Sequence, residues 1–330
     1  MKTKIKTTAY IVHSIAAAVL LLTAQISLAS SASWLLSPQD SAWENANNWT
    51  AGGPPNGPSD SATFAQSSQP SVGISTSVEV NSIVFSSGSA SFHFSISSGV
   101  AELIIAGIGV VNNNNVSQSF AAANGGQIIF NNASSAASAH ISIRNGGAYP
   151  ELPGYTIFND TSSAAGASIT NAALDDFGDS PGGETIFNGA STADHASISN
   201  EGPPESHAGG GQTIFNDASA AANASIDNGA GGAACCSTGV SALTILNDTS
   251  TAGHATITNH GNLYPESLAG ATIFNDSSNA DSSILVANGG SDPRFGPGGG
   301  IFFYGASMGG TARVEFLTMA TRTLAATNRV

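Results

Sequence analysis

Residues Thr156–Asn171 read TIFNDTSSAAGASITN, and this unit recurs along most of the chain. Its anchor falls at Phe130, Phe158, Phe187, Phe215, Leu246, Phe274 and Phe303, in steps of 28, 29, 28, 31, 28 and 29 residues. A near-constant period in this range is the signature of a solenoid. An apolar residue precedes each anchor: Ile129, Ile157, Ile186, Ile214, Ile245, Ile273 and Phe302. Asn follows it in six copies (Asn131, Asn159, Asn188, Asn216, Asn247, Asn275), and Tyr304 breaks the series. Ser stands four residues on in every copy, from Ser134 to Ser307. Eleven residues on comes a branched residue: Ile141, Ile169, Ile198, Ile226, Ile257, Leu285 or Val314.

The segments around T-I-F and A-S-I-T are short β-branched or aromatic runs with period-2 character. Small and polar residues between them suit a tight corner. After the second run the copies diverge into Gly- and Pro-rich loops such as GAYPELPG and GPPESHAGGG. The pattern predicts an all-β parallel β-helix, one repeat of 28–31 residues per rung. Each strand then lies about 4.8 Å from its equivalent one rung on. Asn at one place in successive rungs predicts a side-chain amide ladder. A helical repeat is excluded by the missing 3.6-residue stripe and the abundance of Gly, Ser, Thr and Asn. Ile157 and Phe158 are adjacent and so face opposite ways. The expectation is an Ile row inside, with the Phe row either turning inward at the corner or lying under the Gly/Pro loops.

Four segments follow. Residues 1–29 read as a secretory signal: Lys2, Lys4 and Lys6, an apolar run around Ala16–Leu22, and a cleavage site at Ser27-Leu28-Ala29. Residues 30–123 form an irregular N-terminal β cap holding Trp34, Trp43 and Trp49. Residues 124–317 form the seven-repeat β-helix, and 318–330 a C-terminal tail. The Trp cluster has two readings, an apolar plug on the first rung or a stacking platform for sugar; the plug is favoured. No later segment is apolar enough for a membrane helix.

All three Lys lie in the signal, leaving five of the eight basic residues. Against 22 acids the mature charge is 5 − 22 = −17, which excludes nucleic-acid binding through backbone charge.

Trp43, Asn48-Trp49, Gly53–Asp60 (GPPNGPSD) and Phe64 resemble the opening of bacterial autotransporter-like passenger proteins. Val111–Phe120, followed by TIFND-S-x-A-x-x-A-x-I-x-N units, is similar to the β-strand repeats of that family. The resemblance spans Trp34 to Leu317. It implies a secreted or outer-membrane surface β-helix and names no ligand. Such proteins often end in a membrane β-barrel of many alternating strands. Only Thr318–Val330 follow Leu317, so the expectation is a soluble relative or a truncated reading frame.

Chemistry is sparse. Cys235 and Cys236 are adjacent in a loop, with a strained vicinal disulfide, an intermolecular contact or free thiols as the readings. His195 and His254 share a position otherwise held by small residues, which predicts exposure. Asp160, Asp217, Asp248 and Asp276 read as turn residues rather than a calcium ladder, since G-G-x-G-x-D is missing. Asp175, Asp176 and Asp179 are the densest acids. Paired carboxylates serve glycoside hydrolysis, but these three share one Gly/Pro-flanked loop, and no Lys remains as a lyase base. No catalytic, cofactor or metal residue is assigned. The expected function is a non-catalytic, exported surface scaffold for adhesion or display, with a cell-surface or polysaccharide ligand. The alternatives are a polysaccharide lyase or glycoside hydrolase, and a loop-face binding module.

Overall fold

The computed structural model describes residues 31–50, 53–137, 141–146, 152–174, 181–203, 209–231, 241–262, 268–290 and 298–317. Two parallel sheets wind into a β-solenoid of about nine turns, with almost no helix. The first sheet has eleven strands, from Ala32–Ser33 to Gly300–Phe303. The second has ten, from Ser71–Ile74 to Arg313–Leu317. A third, one-residue column of parallel bridges runs Gly109, Ser135, Ser163, Thr192, Ala220, Thr251, Asn279, Met308.

Register is kept rung after rung: Thr156, Ile157 and Phe158 pair with Thr185, Ile186 and Phe187, and these with Thr213, Ile214 and Phe215. Two residues per rung turn the chain in the left-handed region. The first comes two after the anchor: Asn132, Asp160, Gly189, Asp217, Asp248, Asp276, Gly305. The second comes seven after it: Ala137, Ala165, Asp194, Ala222, Gly253, Asp281, Gly310. Asn, Asp and Gly tolerate positive φ best, which explains why the first of these corners admits only those three. The Asp row is therefore a row of turn residues.

The core corrects the expectation of an inner Ile row. The Phe row is inside: Phe130, Phe158, Phe187, Phe215, Leu246 and Phe274 are all at most 1% exposed. Rings of adjacent rungs stack at 4.8 Å and 7–8° (Phe130–Phe158–Phe187–Phe215), which is the strand spacing itself. The Ile row lies half-buried on the outer face of the first sheet. Strand parity forces this: in the five rungs from Phe158 to Phe274 the Thr two residues before the anchor turns inward to bond a buried Asn, so the anchor must follow it in and Ile must face out.

A second correction concerns the first repeat. Ile143, not Ile141, pairs with Ile169, because Asn145 aligns with Asn171. The buried Asn fixes the register and shifts this copy by two residues.

The expected amide ladder forms. Asn159, Asn188, Asn216, Asn247 and Asn275 each donate Nδ2 to Oδ1 of the preceding rung's Asn, at 2.9–3.0 Å. A second ladder, which the sequence reading missed, is fully buried at the ends of five successive second-sheet strands. Asn145, Asn171, Asn200 and Asn228 donate Nδ2 to Oδ1 of the next rung's Asn at 2.7–2.8 Å. The two ladders therefore point their amides in opposite senses along the axis.

At the N-terminal end Trp34, Trp43 and Trp49 are buried and pack on Phe64 at 5.7–6.1 Å between ring centroids. Each indole N–H has a carbonyl acceptor, at Gln69, Pro55 and Trp43 respectively. No indole face is free, so the sugar-platform reading fails. Among the described residues no helix is long and apolar enough to cross a membrane.

Phe187→Ala should cost roughly 3–5 kcal/mol, the range for deleting a buried ring. Ile186→Ala, on the half-exposed face, should cost well under half as much. Urea unfolding of the two variants orders them, and a costlier Ile186 variant would return the Ile row to the core.

Candidate functional site: the loop edge and the polar groove

Every variable loop leaves the solenoid at one corner, between a second-sheet strand and the next first-sheet strand. The corner is built from a buried pair. Thr156, Thr185, Thr213, Thr244 and Thr272 donate Oγ1 to Oδ1 of Asn145, Asn171, Asn200, Asn228 and Asn259 at 2.7–3.0 Å. The partners are 11, 14, 13, 16 and 13 residues apart, so loops of different length close on one base. The same Asn side chains reach a backbone carbonyl farther along, at Glu184, Gln212, Leu243 and Ala271. All these Asn and Thr side chains are buried, and a buried amide without partners costs several kcal/mol.

A glycine two residues before the Thr, or before Ile301 in the last rung, closes the corner. At Gly183, Gly211, Gly270 and Gly299 a Cβ would lie 2.0–2.2 Å from the carbonyl oxygen of Asn145, Asn171, Asn228 and Asn259. That close approach is why the repeat keeps Gly in front of each first-sheet strand, with Ala242 as the exception.

On the corner that follows the first sheet, an open groove of about 530 Å³ is lined by Glu79, Ala106, Asn131, Asn132, Asn159, Asp160, Asn188, Gly189 and Asp217. Its floor is the outer amide ladder. Its two aspartates are already engaged: Asp160 accepts from Asn132 N–H at 2.8 Å and Asp217 from Gly189 N–H at 2.8 Å. Asp248 and Asp276 repeat the contact at 3.0 and 3.3 Å. Each carboxylate thus ties its own turn to the one before. Among the described residues no group of three or more His, Cys, Asp or Glu comes together to hold a metal ion.

His195 and His254 are exposed, as their repeat position predicts. His195 Nδ1 pairs with Asp194 at 2.6 Å. Asp175, Asp176, Asp179, Cys235 and Cys236 lie outside the described residues. Asn48 is buried and bonds Gln39, Asp40 and Ala42. Asn159, Asn247 and Asn275 are rungs of the outer ladder.

One further carboxyl is unusual. Glu184 lies beside Tyr155 and Gln212 in register at the foot of the loop corner. Burial raises its pKa above the ordinary value, and burial together with the Glu184 charge raises that of Tyr155. The signals for the Asn–Thr corner were present in the sequence, as Asn thirteen residues after four anchors and Thr two before five. Glu184 carried none, because its environment depends on the neighbouring rungs.

No family model, no curated protein and no solved structure matches this chain.

Glu184 gives a pH test. A carboxyl whose folded pKa lies above its unfolded value binds protons more tightly when folded, so it lowers stability as pH rises through that range. Gln occupies the equivalent place at Gln127 and Gln212, and Glu184→Gln should therefore raise the melting temperature at pH 7. The gain should fade on acidification below the ordinary glutamate value of 4.5. A gain of equal size at pH 3 and pH 7 would remove carboxylate burial as its cause.

Proposed function

We propose that this chain is an exported, non-catalytic surface scaffold of the autotransporter-passenger type. Its loop edge would serve adhesion to a cell-surface or polysaccharide ligand. The observation that carries this reading is the division of labour within each rung. The strands, corners and ladders are near-identical copies, while the inter-rung loops differ in length and chemistry, and five of them share one hydrogen-bonded base. Binding residues concentrate on loops held by a rigid scaffold. In a solenoid, stacking sets every loop base one rung from the next, so the loops form a linear array. The basic and apolar N-terminus supports export, and the acidic, Lys-free mature chain suits an extracellular surface. Intermolecular contact through Cys235 and Cys236 belongs to the same reading, as does secretion or outer-membrane display.

Protease shaving of intact cells, followed by mass spectrometry, tests it. The expected result is a mature chain beginning at Ser30 and surface-released peptides from the loops. Replacing the loop between Asn228 and Leu243 by a short Gly/Ser linker should leave the melting temperature within a few degrees and reduce attachment to the ligand surface. A full-length chain confined to the cytoplasm, with Lys2, Lys4 and Lys6 retained, would contradict the proposal.

A further inference from the structure

The two ends of the solenoid differ. The N-terminal end is filled by Trp34, Trp43, Trp49 and Phe64, all at most 3% exposed. The C-terminal rung bares the residues that other rungs bury. Phe303 is 41% exposed although Phe274, its equivalent one rung back, is at 0%. Met308 is at 55%, Val314 at 43% and Phe316 at 78%. Both last strands, Gly300–Phe303 and Arg313–Leu317, are sheet edges. Their backbone polarity is ordered. Arg313 N–H bonds back to Ser283 O, and Leu317 O accepts from Gly289 N–H. In a parallel strand such bonds alternate residue by residue, so Val314 and Phe316 turn their N–H and C=O groups off the end.

The geometry points to a second copy of this chain as the occupant of that end, joined by a two-fold axis through Val314. Two copies meeting end to end run their edge strands antiparallel. With Val314 opposite the partner's Val314, the outward N–H and C=O groups of the two valines exchange hydrogen bonds. Arg313 then lies opposite the partner's Glu315, and Glu315 opposite the partner's Arg313. In the single chain these two already form an ion pair at 2.8 Å on the outer face, so the dimer closes an alternating quartet of charge. Centring the pair on Glu315 instead would set like charges together, which is destabilising. The partner then also faces the bared Phe303 and Met308 of the last rung. The contact is isologous and closes on itself.

The four apolar side chains present on the order of 400 Å² per copy, taking side-chain areas of the size typical for large residues. With the two backbone edges, the joint sits near the lower limit for specific interfaces, about 1,200 Å². The dimer should therefore be weak and dissociate on dilution.

Analytical ultracentrifugation of the mature full chain, carrying C235S and C236S to exclude disulfide dimers, tests the proposal. The expected result is a reversible monomer–dimer equilibrium, with the dimer's longest dimension in solution scattering about twice the monomer's. Arg313→Glu alone should weaken association at least tenfold, since it sets Glu opposite Glu, and Glu315→Arg alone should do the same with Arg opposite Arg. Mixing these two variants should restore a heterodimer, because every 313–315 pair is then complementary. Phe316→Asp, at an exposed position, should abolish association without changing the circular dichroism spectrum. A chain that stays monomeric at every concentration overturns the proposal. So does a dimer indifferent to these charges. Crosslinking that places residues 318–330 over the Arg313–Leu317 strand of the same chain would overturn it too, by giving the end a different occupant.

Discussion

A buried amide must find its partners, and in this protein it finds most of them in copies of itself. Strands stacked in parallel register about 4.8 Å apart bring Asn145, Asn171, Asn200, Asn228 and Asn259 into one column. Each of the first four spends its Nδ2 on the next Asn and on a backbone carbonyl farther along, and every one of the five Oδ1 atoms accepts from a Thr. A slip of one residue would break every link together, so the ladder specifies register far more sharply than apolar contact does. It also sets strand polarity: Thr inward puts Phe inward and leaves Ile outside.

The two members of the pair are gained and lost together. One rung before Asn145 and Thr156, the register places Ala122 and Ile128. One rung beyond Asn259 and Thr272 it places Ala287 and Ile301. Polar and apolar versions of the corner both occur, while a mixed version does not. Removing one partner strands the other, whereas replacing both by apolar groups of similar shape is far cheaper. The exception lies at the boundary, where Asn259 Nδ2 is the last donor of the ladder and has no acceptor. With the corner fixed in this way, loop length becomes a free variable. The base closes equally over an 11-residue and a 16-residue separation, consistent with the slow growth of loop-closure entropy with length. A chain built so can diversify one edge without disturbing its core.

The solenoid was legible because the internal copies exposed what each rung requires: the period, the Asn after the anchor, and the turn character of the Asp row. The inside and outside of the first-sheet strand were not legible from apolarity alone, since Ile and Phe are both apolar and adjacent. The deciding residue was Thr, two before the anchor, whose inward role depends on an Asn contributed by the preceding strand across a variable loop. Ile141 was misplaced for the same reason: Ile141 and Ile143 are both branched and two residues apart in the sequence, and only Asn145 selects between them. The Trp cluster, read as more plausibly a plug than a platform, proved buried because its indole donors all find backbone acceptors. Glu184 and the bare C-terminal rung are products of neighbours, and no single repeat shows them.

The coupling between the two corner residues tests this account most directly. Asn200→Ala, Thr213→Ile and the double variant, unfolded in urea, form a cycle in the middle of the ladder. The account predicts that each single change destabilises strongly. It predicts that the double variant, which recreates the Ala/Ile corner found at both ends, costs less than the sum by at least about 1 kcal/mol, the scale for residues in one hydrogen-bond network. Strict additivity of the two changes would show that the Asn–Thr pair does not act as a unit, and that something else holds the rungs in register.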